Sequence, residues 1–195
     1  MRSKSILTVS VAALALVGCG RNDADTPSAD LNTMVTDGAA LGNDAAATTG
    51  AAPAPTSAQG FANAAAASDR FEIESSRLAA ASAQSSAVKS FADTMIKAHT
   101  ASTTELKTIL SGLPTPVTPA DAFNPDQQRL MDGLQGKTGA ELDQAYAAAQ
   151  VTAHQATLDT LKAYASAGDT PALKAFANKM IPTVTAHLNT AKGLK

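Results

Sequence analysis

The chain has 195 residues, a formal net charge of −2 and 4% aromatic residues, with no tryptophan. Its acidic and basic residues are interspersed and nearly balanced, and no basic cluster stands out, so we expect no nucleic-acid partner. The single cysteine cannot form a disulfide within the chain.

The first 18 residues are predicted to be a bacterial lipoprotein signal peptide. Arg2 and Lys4 precede an apolar run over residues 6–17, which is too short for a comfortable membrane span. The run ends in Leu-Val-Gly-Cys, which resembles the lipobox of bacterial lipoproteins, a family in which the chain is cut before the cysteine and diacylglycerol is attached to its sulfur. The resemblance implies that Cys19 is lipidated and anchors the chain to a membrane. An ordinary secretory peptide with an incidental cysteine is the alternative.

The residues after Cys19 bear on location and on domain organisation. Gly20 rather than aspartate follows the cysteine, which by analogy with lipoprotein sorting implies an outer membrane lipoprotein of the bacterial cell envelope, facing the periplasm. Residues 19–57 are rich in Ala, Thr, Asp, Gly and Pro, and cannot bury enough apolar surface to offset their ordering entropy. We therefore predict a disordered tether, followed by one domain over residues 58–195.

The domain is predicted to be all-α, with four long helices in two hairpins. Apolar residues recur at three- and four-residue spacing over 58–83, 86–110, 139–167 and from Pro171 to about 192. A long Pro-rich connection, LPTPVTPADAFNP, separates the second and third of these helices and is followed by a short helix near 126–134. Gly168 is a natural C-terminal cap, and Thr170-Pro171 is a natural helix start.

Four polar side chains fall on the apolar faces of the four long helices. In the first helix, Glu72 lies within the apolar stripe, whereas Glu74 lies beside flanking arginines on the outer face. The three histidines of the chain, His99, His154 and His187, each fall on the apolar stripe of one of the other helices. We therefore expect one acid and three imidazoles to converge inside the bundle.

The positions of these residues along the bundle axis depend on the order of helix packing, which the sequence leaves open. In an up-down-up-down bundle, Glu72, His99, His154 and His187 share one central layer. The long connection also permits a crossover that reverses the second hairpin. That arrangement keeps the first three close and is expected to move His187 about two turns away.

Four motifs together resemble the bacterial family called domain of unknown function 4142, often labelled "putative outer membrane protein" and grouped with ferritin-like four-helix bundles. The motifs are SDRFEIESSRLA, VKSFADTMIKAH, LDQAYAAAQVTAHQ and LKAFANKMIPTVTAHL. The resemblance implies a ferritin-like bundle in the cell envelope. It also implies recurring polar positions at Glu72, His99, Asp143, Tyr146, His154 and His187. Ala98 and Leu142 depart from the family pattern, where Asp and Phe are usual, and the first departure removes a supporting carboxylate.

Two explanations of the polar centre remain open. Glu72, His99, His154 and His187 together could bind a single zinc, copper or iron ion, since neutral imidazole suits these metals and a carboxylate offsets their charge. Tyr146, Asp143 and Gln150 would then be second-shell partners, or else would serve as caps and surface contacts. Alternatively, the same side chains form a hydrogen-bonded polar core in a structural or stress-related module.

Catalysis has little support in the sequence. The Glu-x-x-His pairs of di-iron enzymes are absent, and so are a nucleophile elbow and a phosphate-binding glycine loop. We therefore favour a non-catalytic protein, either metal-binding or structural, over an enzyme. The small-residue-rich stretch over 75–87 could pack against a helix of another envelope protein, or could be plain solvated surface.

Overall fold

The computed structural model describes residues 54–194, which form part of one compact unit. The predicted signal peptide, the predicted lipidation site Cys19 and residues 19–53 of the predicted tether lie outside the described residues. The described part of the chain contains five helices, namely α1 (Ala58–Ser82), α2 (Ser86–Ser111), α3 (Pro125–Leu134), α4 (Gly139–Ala167) and α5 (Pro171–Gly193). The predicted all-α fold is confirmed, and each predicted helix boundary lies within one residue of the observed one.

Local sequence explains where these helices begin and end. The side chain of Ser57 accepts a hydrogen bond from the backbone N–H of Gly60 at the start of α1. Asn124 and Gln127 form a reciprocal capping box at the start of α3. Gly139, the first residue of α4, has a φ of 61°, a left-handed conformation that glycine adopts at no steric cost. These caps satisfy backbone donors that the first turn of a helix leaves unpaired.

The four long helices pack as two hairpins with a crossover between them. Helix α1 packs along α2 and α4 along α5, while α1 also contacts α4 and α2 contacts α5. A backbone bridge joins Ala83, just after α1, to Gly139 at the start of α4. At the other end of the bundle, the backbone N–H of Asp169, in the α4–α5 turn, donates to the carbonyl of Thr56 (3.1 Å). Helix α4 therefore runs antiparallel to α1 and parallel to α2.

The crossover corrects one expectation about His187. We expected a reversed second hairpin to carry His187 about two turns from the other polar residues. The ring of His187 instead lies 5.8 Å from that of His99 and 5.6 Å from that of His154, between centroids. The expectation was wrong because Asp169 and Thr56 lie at the same end of the bundle. His187 is 18 residues from Asp169 and Glu72 is 16 residues from Thr56, a difference of about 3 Å along the helix axes.

A polar layer divides the core into two apolar clusters. One cluster includes Phe71, Phe91, Met95, Leu142 and Tyr146, and the other includes Phe61, Leu106, Leu161, Tyr164 and Phe176. The buried polar residues between them are Ser68, Asp69, Glu72, Ser75, His99, Ser102, Gln150 and His154. Helix α2 shows the order directly, because His99 follows Met95 of the first cluster and precedes Leu106 of the second.

Two further features of the described residues concern membrane spanning and the packing of small side chains. None of their helices is both long enough and apolar enough to cross a lipid bilayer. Within the small-residue-rich stretch over 75–87, Ser75, Ser76, Ala79 and Ala83 are buried inside the bundle itself, so the stretch serves internal packing to a large extent.

Candidate metal centre

The three histidines converge in the polar layer. His99 on α2, His154 on α4 and His187 on α5 have ring centroids 5.6 to 5.8 Å apart. One nitrogen from each ring lies within 4.8 Å of those of the other two. Nitrogens bound to a single zinc ion at about 2.0–2.1 Å are about 3.5 Å apart in a trigonal arrangement. Small rotations of the three side chains would therefore bring the ring nitrogens around one ion.

Hydrogen bonds fix which nitrogen is free on two of the rings. His99 Nδ1 lies 2.8 Å from Asp69 Oδ1, and His154 Nδ1 lies 2.9 Å from the backbone oxygen of Gln150. An ionised carboxylate and a carbonyl only accept hydrogen bonds, so both Nδ1 atoms carry the proton. Nε2 is therefore the nitrogen of each ring that is left to bind a metal, which it does in its unprotonated form.

The free nitrogens are buried and have no hydrogen-bond partner. This holds for His99 Nε2, His154 Nε2 and His187 Nδ1. His99 is 3% exposed and His154 is 1% exposed, whereas His187 is half-buried. A buried polar atom without a partner is costly. The simple hydrogen-bonded core leaves all three nitrogens unsatisfied, whereas a shared ion would satisfy them together.

Burial keeps two of the rings neutral. It lowers the pKa of His154 to about 3 and the pKa of His187 to about 4, with the nearby His99 adding to both shifts. Burial also lowers the pKa of His99, but the hydrogen bond to Asp69 and the charge of Glu72 outweigh it, so the net pKa is raised. His154 and His187 are thus held at neutral pH in the form that binds metals.

Glu72 lies beside the histidines but not among their converging nitrogens. Its Oε1 atom is 3.4 Å from His154 Nδ1, the nitrogen that bonds to the Gln150 carbonyl. It does not join the group of three whose ligand atoms lie within 4.8 Å. Glu72 is 1% exposed, neither carboxylate oxygen has a hydrogen-bond partner, and burial raises its pKa to about 7. The geometry places it behind His154, where it can orient the ring and compensate charge.

The three other predicted site residues occupy different places. The side chain of Gln150 donates to Ser75 Oγ (3.2 Å), and its backbone carbonyl holds His154. The hydroxyl of Tyr146 is bonded to Ser76 Oγ (2.7 Å). The carboxylate of Asp143 accepts from the backbone N–H groups just before α2. Among these three, only Gln150 bonds directly to a histidine, and Asp143 serves as a cap.

Sequence reasoning missed Asp69. Its carboxylate is 5% exposed, and it accepts from His99 Nδ1 and from the hydroxyl of Thr103 (3.0 Å). Asp69 precedes Glu72 by three residues and therefore shares its face of α1. This three-residue spacing is the feature of the sequence that could have identified Asp69 as inward-facing. Asp69 supplies a carboxylate to the α2 histidine, whose preceding residue, Ala98, has none.

Comparison with known proteins identifies a family and a fold. The family model described as "Domain of unknown function (DUF4142)" matches residues 43–194. A solved structure described as "CopM in the Cu(II)-bound form" superposes with a TM-score of 0.59 at 16% identity, and the match covers 70% of this chain and 94% of that one. At that identity the likeness shows a shared helical fold. A comparison with curated proteins found no significant match.

Proposed function

This chain belongs to the DUF4142 family, and from that premise and the geometry of its histidines we propose that it binds one transition-metal ion. The convergence of three histidines, with one nitrogen of each within 4.8 Å of the others, carries the proposal, and the unpartnered buried nitrogen on each ring supports it. His99, His154 and His187 are the proposed ligands. Asp69 and the Gln150 carbonyl orient two of them, and Glu72 supplies negative charge from behind His154.

Copper is the ion we propose first, with zinc and iron as the other candidates. Neutral imidazole suits all three metals, so the donor set alone does not choose between them. Support for copper comes from the solved structure with the shared fold, whose description states a Cu(II)-bound form. A binding role for the chain, rather than a catalytic one, is part of the same proposal.

Equilibrium binding tests the metal site. Residues 19–195 carrying Cys19→Ser would be purified free of metal and titrated with copper(II) and zinc, because this variant removes both lipidation and the only thiol. We expect one ion per chain and a loss of affinity of at least about 100-fold in His154→Ala. Gln155→Ala, an exposed neighbour on α4, is the matched control and should bind as the parent does. Binding that His154→Ala leaves intact would favour the polar-core alternative.

We also propose that the protein is a lipid-anchored component of the bacterial outer membrane, facing the periplasm. The support is the amino-acid sequence around Cys19, with its short apolar run and lipobox-like ending. Expression of the full chain with labelled palmitate tests this anchor. The label should appear on the full chain and disappear in Cys19→Ser, and label retained by that variant would exclude the anchor.

A further inference from the structure

A cavity of about 400 Å³ lies beside the histidines. Residues of all five helices line it, and those of α3 include Gln127 and the exposed Arg129. Water occupies about 30 Å³ per molecule in the liquid. The cavity therefore has room for about ten water molecules, enough to hold an ion with its hydration shell.

Small side chains on two facing helices create this space. Ala64 and Ala65 of α1 and Ala153 and Ala156 of α4 all line the cavity. The hydroxyls of Ser68 and Thr157 join the same two helices across its wall, 2.8 Å apart. Larger side chains at these alanine positions would fill the space between α1 and α4. The line along which these two helices meet, the α1–α4 seam, is therefore open because its residues are small.

The inner end of the cavity reaches the candidate metal centre. Among its lining residues are His99 and Asp69, the bonded pair that leaves His99 Nε2 free. His154 and His187 are not among them. His99 and His154 are almost fully buried, and the free Nδ1 of the half-buried His187 is buried too, so an ion needs a passage to reach these nitrogens. The cavity supplies solvent-sized space that ends at a carboxylate and an imidazole.

We infer that this cavity is the route by which the metal ion enters and leaves the centre. The inference rests on the proposed metal-binding function. A hydrated cation passes along the α1–α4 seam, meets Asp69 and His99 first, and is then shared with His154 and His187. Asp69 thus has a second role beyond orienting His99, because its negative charge attracts a cation at the inner end of the route.

The kinetics of copper exchange test the route. Ala156 is an exposed residue that lines the cavity, so Ala156→Phe should obstruct the cavity near the surface without disturbing the core. Copper(II) uptake and release would be followed by stopped-flow absorbance with a chromophoric chelator, using residues 19–195 with Cys19→Ser. Both rates should fall at least about tenfold, by the same factor, so that the dissociation constant stays unchanged. Ala148→Phe, at an exposed α4 position outside the cavity, should leave both rates unchanged.

A second variant tests the same route in case the new side chain of Ala156→Phe turns away from the cavity. Ala64→Leu narrows the same seam from α1 and should also slow uptake and release together. Unchanged rates in both variants, with copper still bound at one ion per chain, would overturn the route and leave the proposed function intact. If the variants bind copper more weakly and only the release rate has increased, these alanine positions lie against the metal ligands. That result would also overturn the route. A parent chain that binds none of copper, zinc and iron would overturn both proposals.

Discussion

Asp69 determines which nitrogen of His99 is available. Its Oδ1 atom accepts a hydrogen bond from His99 Nδ1, with 2.8 Å between the two atoms. Its Oδ2 atom accepts a hydrogen bond from the hydroxyl of Thr103. Without this acceptor the ring could rotate or change tautomer, and the free Nε2 would no longer be fixed toward the other histidines. Carboxylates in this position commonly tune metal ligands without touching the metal.

Loss of the Asp69 carboxylate should therefore weaken metal binding. We expect Asp69→Ala to reduce copper affinity by about 10- to 100-fold, the usual cost of removing a residue that orients a ligand. A competition titration with a chelator of known affinity measures the change. Asp159→Ala is the matched control, because it removes an exposed carboxylate of α4 and should have no effect. Equal losses in the two variants would mean that only overall charge matters.

The buried titratable groups predict how the stability of the metal-free domain depends on pH. The folded pKa values of His154, about 3, and His187, about 4, lie below the usual 6.5. Between pH 4 and 6.5 the unfolded chain binds more protons at these rings, so stability rises with pH. Glu72 opposes this trend, because its pKa is raised from 4.5 to about 7 and the fold keeps a proton that the unfolded chain releases. Below about pH 6 the two histidines outweigh Glu72, so a net rise is expected there. Nearer pH 6.5 the fold also keeps the proton of His99, whose pKa is raised, and this reduces the rise.

Glu72→Gln removes the opposing contribution. The rise in stability between about pH 5 and 6.5 should be steeper in this variant than in the parent. Urea unfolding midpoints of the metal-free chain at several pH values measure the slope. Glu74→Gln is the control, since Glu74 lies on the outer face of α1 and pairs with Arg70 at 2.8 Å. A slope that Glu72→Gln leaves unchanged would contradict the raised pKa of Glu72.

The residues of the centre were only partly predictable from sequence. Helical periodicity was sufficient to turn Glu72, His99, His154 and His187 inward. It could not separate a carboxylate among the ligands from one behind them, because that difference is a few ångströms set by side-chain packing. Asp69 was missed because the spacing of apolar residues does not show which polar residues beside the stripe become buried.

At the level of elements, Asp143 links the start of α4 to the start of α2. Its two carboxylate oxygens accept from the backbone N–H groups of Gln84 (3.0 Å) and Ser85 (2.9 Å). Ser85, the N-cap residue of α2, makes no capping bond with its own side chain. The carboxylate from α4 therefore satisfies backbone donors that the α1–α2 turn would otherwise leave unpaired.

Asp143→Ala should destabilise the fold without affecting metal binding. Loss of a cap of this kind costs about 1–2 kcal/mol of unfolding free energy. Chemical denaturation measures the loss, and copper affinity should stay unchanged because Asp143 bonds to the helix start rather than to a histidine. Asp132→Ala, at an exposed site on α3, should leave both quantities unaltered. Weaker copper binding in Asp143→Ala would instead assign this carboxylate to the metal centre.

Helix boundaries were predictable and helix order was not. Gly168 and Pro171 mark the α4–α5 turn by their backbone preferences, and these preferences act within a few residues. The connection from α2 to α4 is long enough to reach either end of the bundle. Its direction is decided by tertiary contacts, such as those of Thr56 with Asp169, which no local pattern shows.

At the scale of the whole molecule, the polar layer between the two apolar clusters is the part of the core that contributes least to stability. Its unpartnered buried atoms, which include both oxygens of Glu72, reduce the stability of the metal-free fold. A bound ion would satisfy several of these atoms together. Metal should therefore stabilise the entire domain, because the layer contains residues of α1, α2 and α4, and His187 adds α5.

Metal should accordingly raise the melting temperature of the domain. At a free concentration 100 times the dissociation constant, a ligand that binds only the folded state adds about 2.7 kcal/mol. For a domain of this size that corresponds to a rise of roughly 5–10 °C. Calorimetry with and without copper measures the rise, and a chelator should reverse it. His154→Ala should show no rise, and an equal rise in that variant would mean that copper stabilises the protein elsewhere.

The three imidazoles are distributed unevenly over the two hairpins. The α1–α2 hairpin contributes one, and the α4–α5 hairpin contributes two. Neither hairpin alone carries the complete donor set, so metal uptake at this centre requires that the halves of the bundle have already docked. An ion held there would join distant parts of the chain as a removable cross-link, and would distinguish the assembled protein from any partly folded form of it.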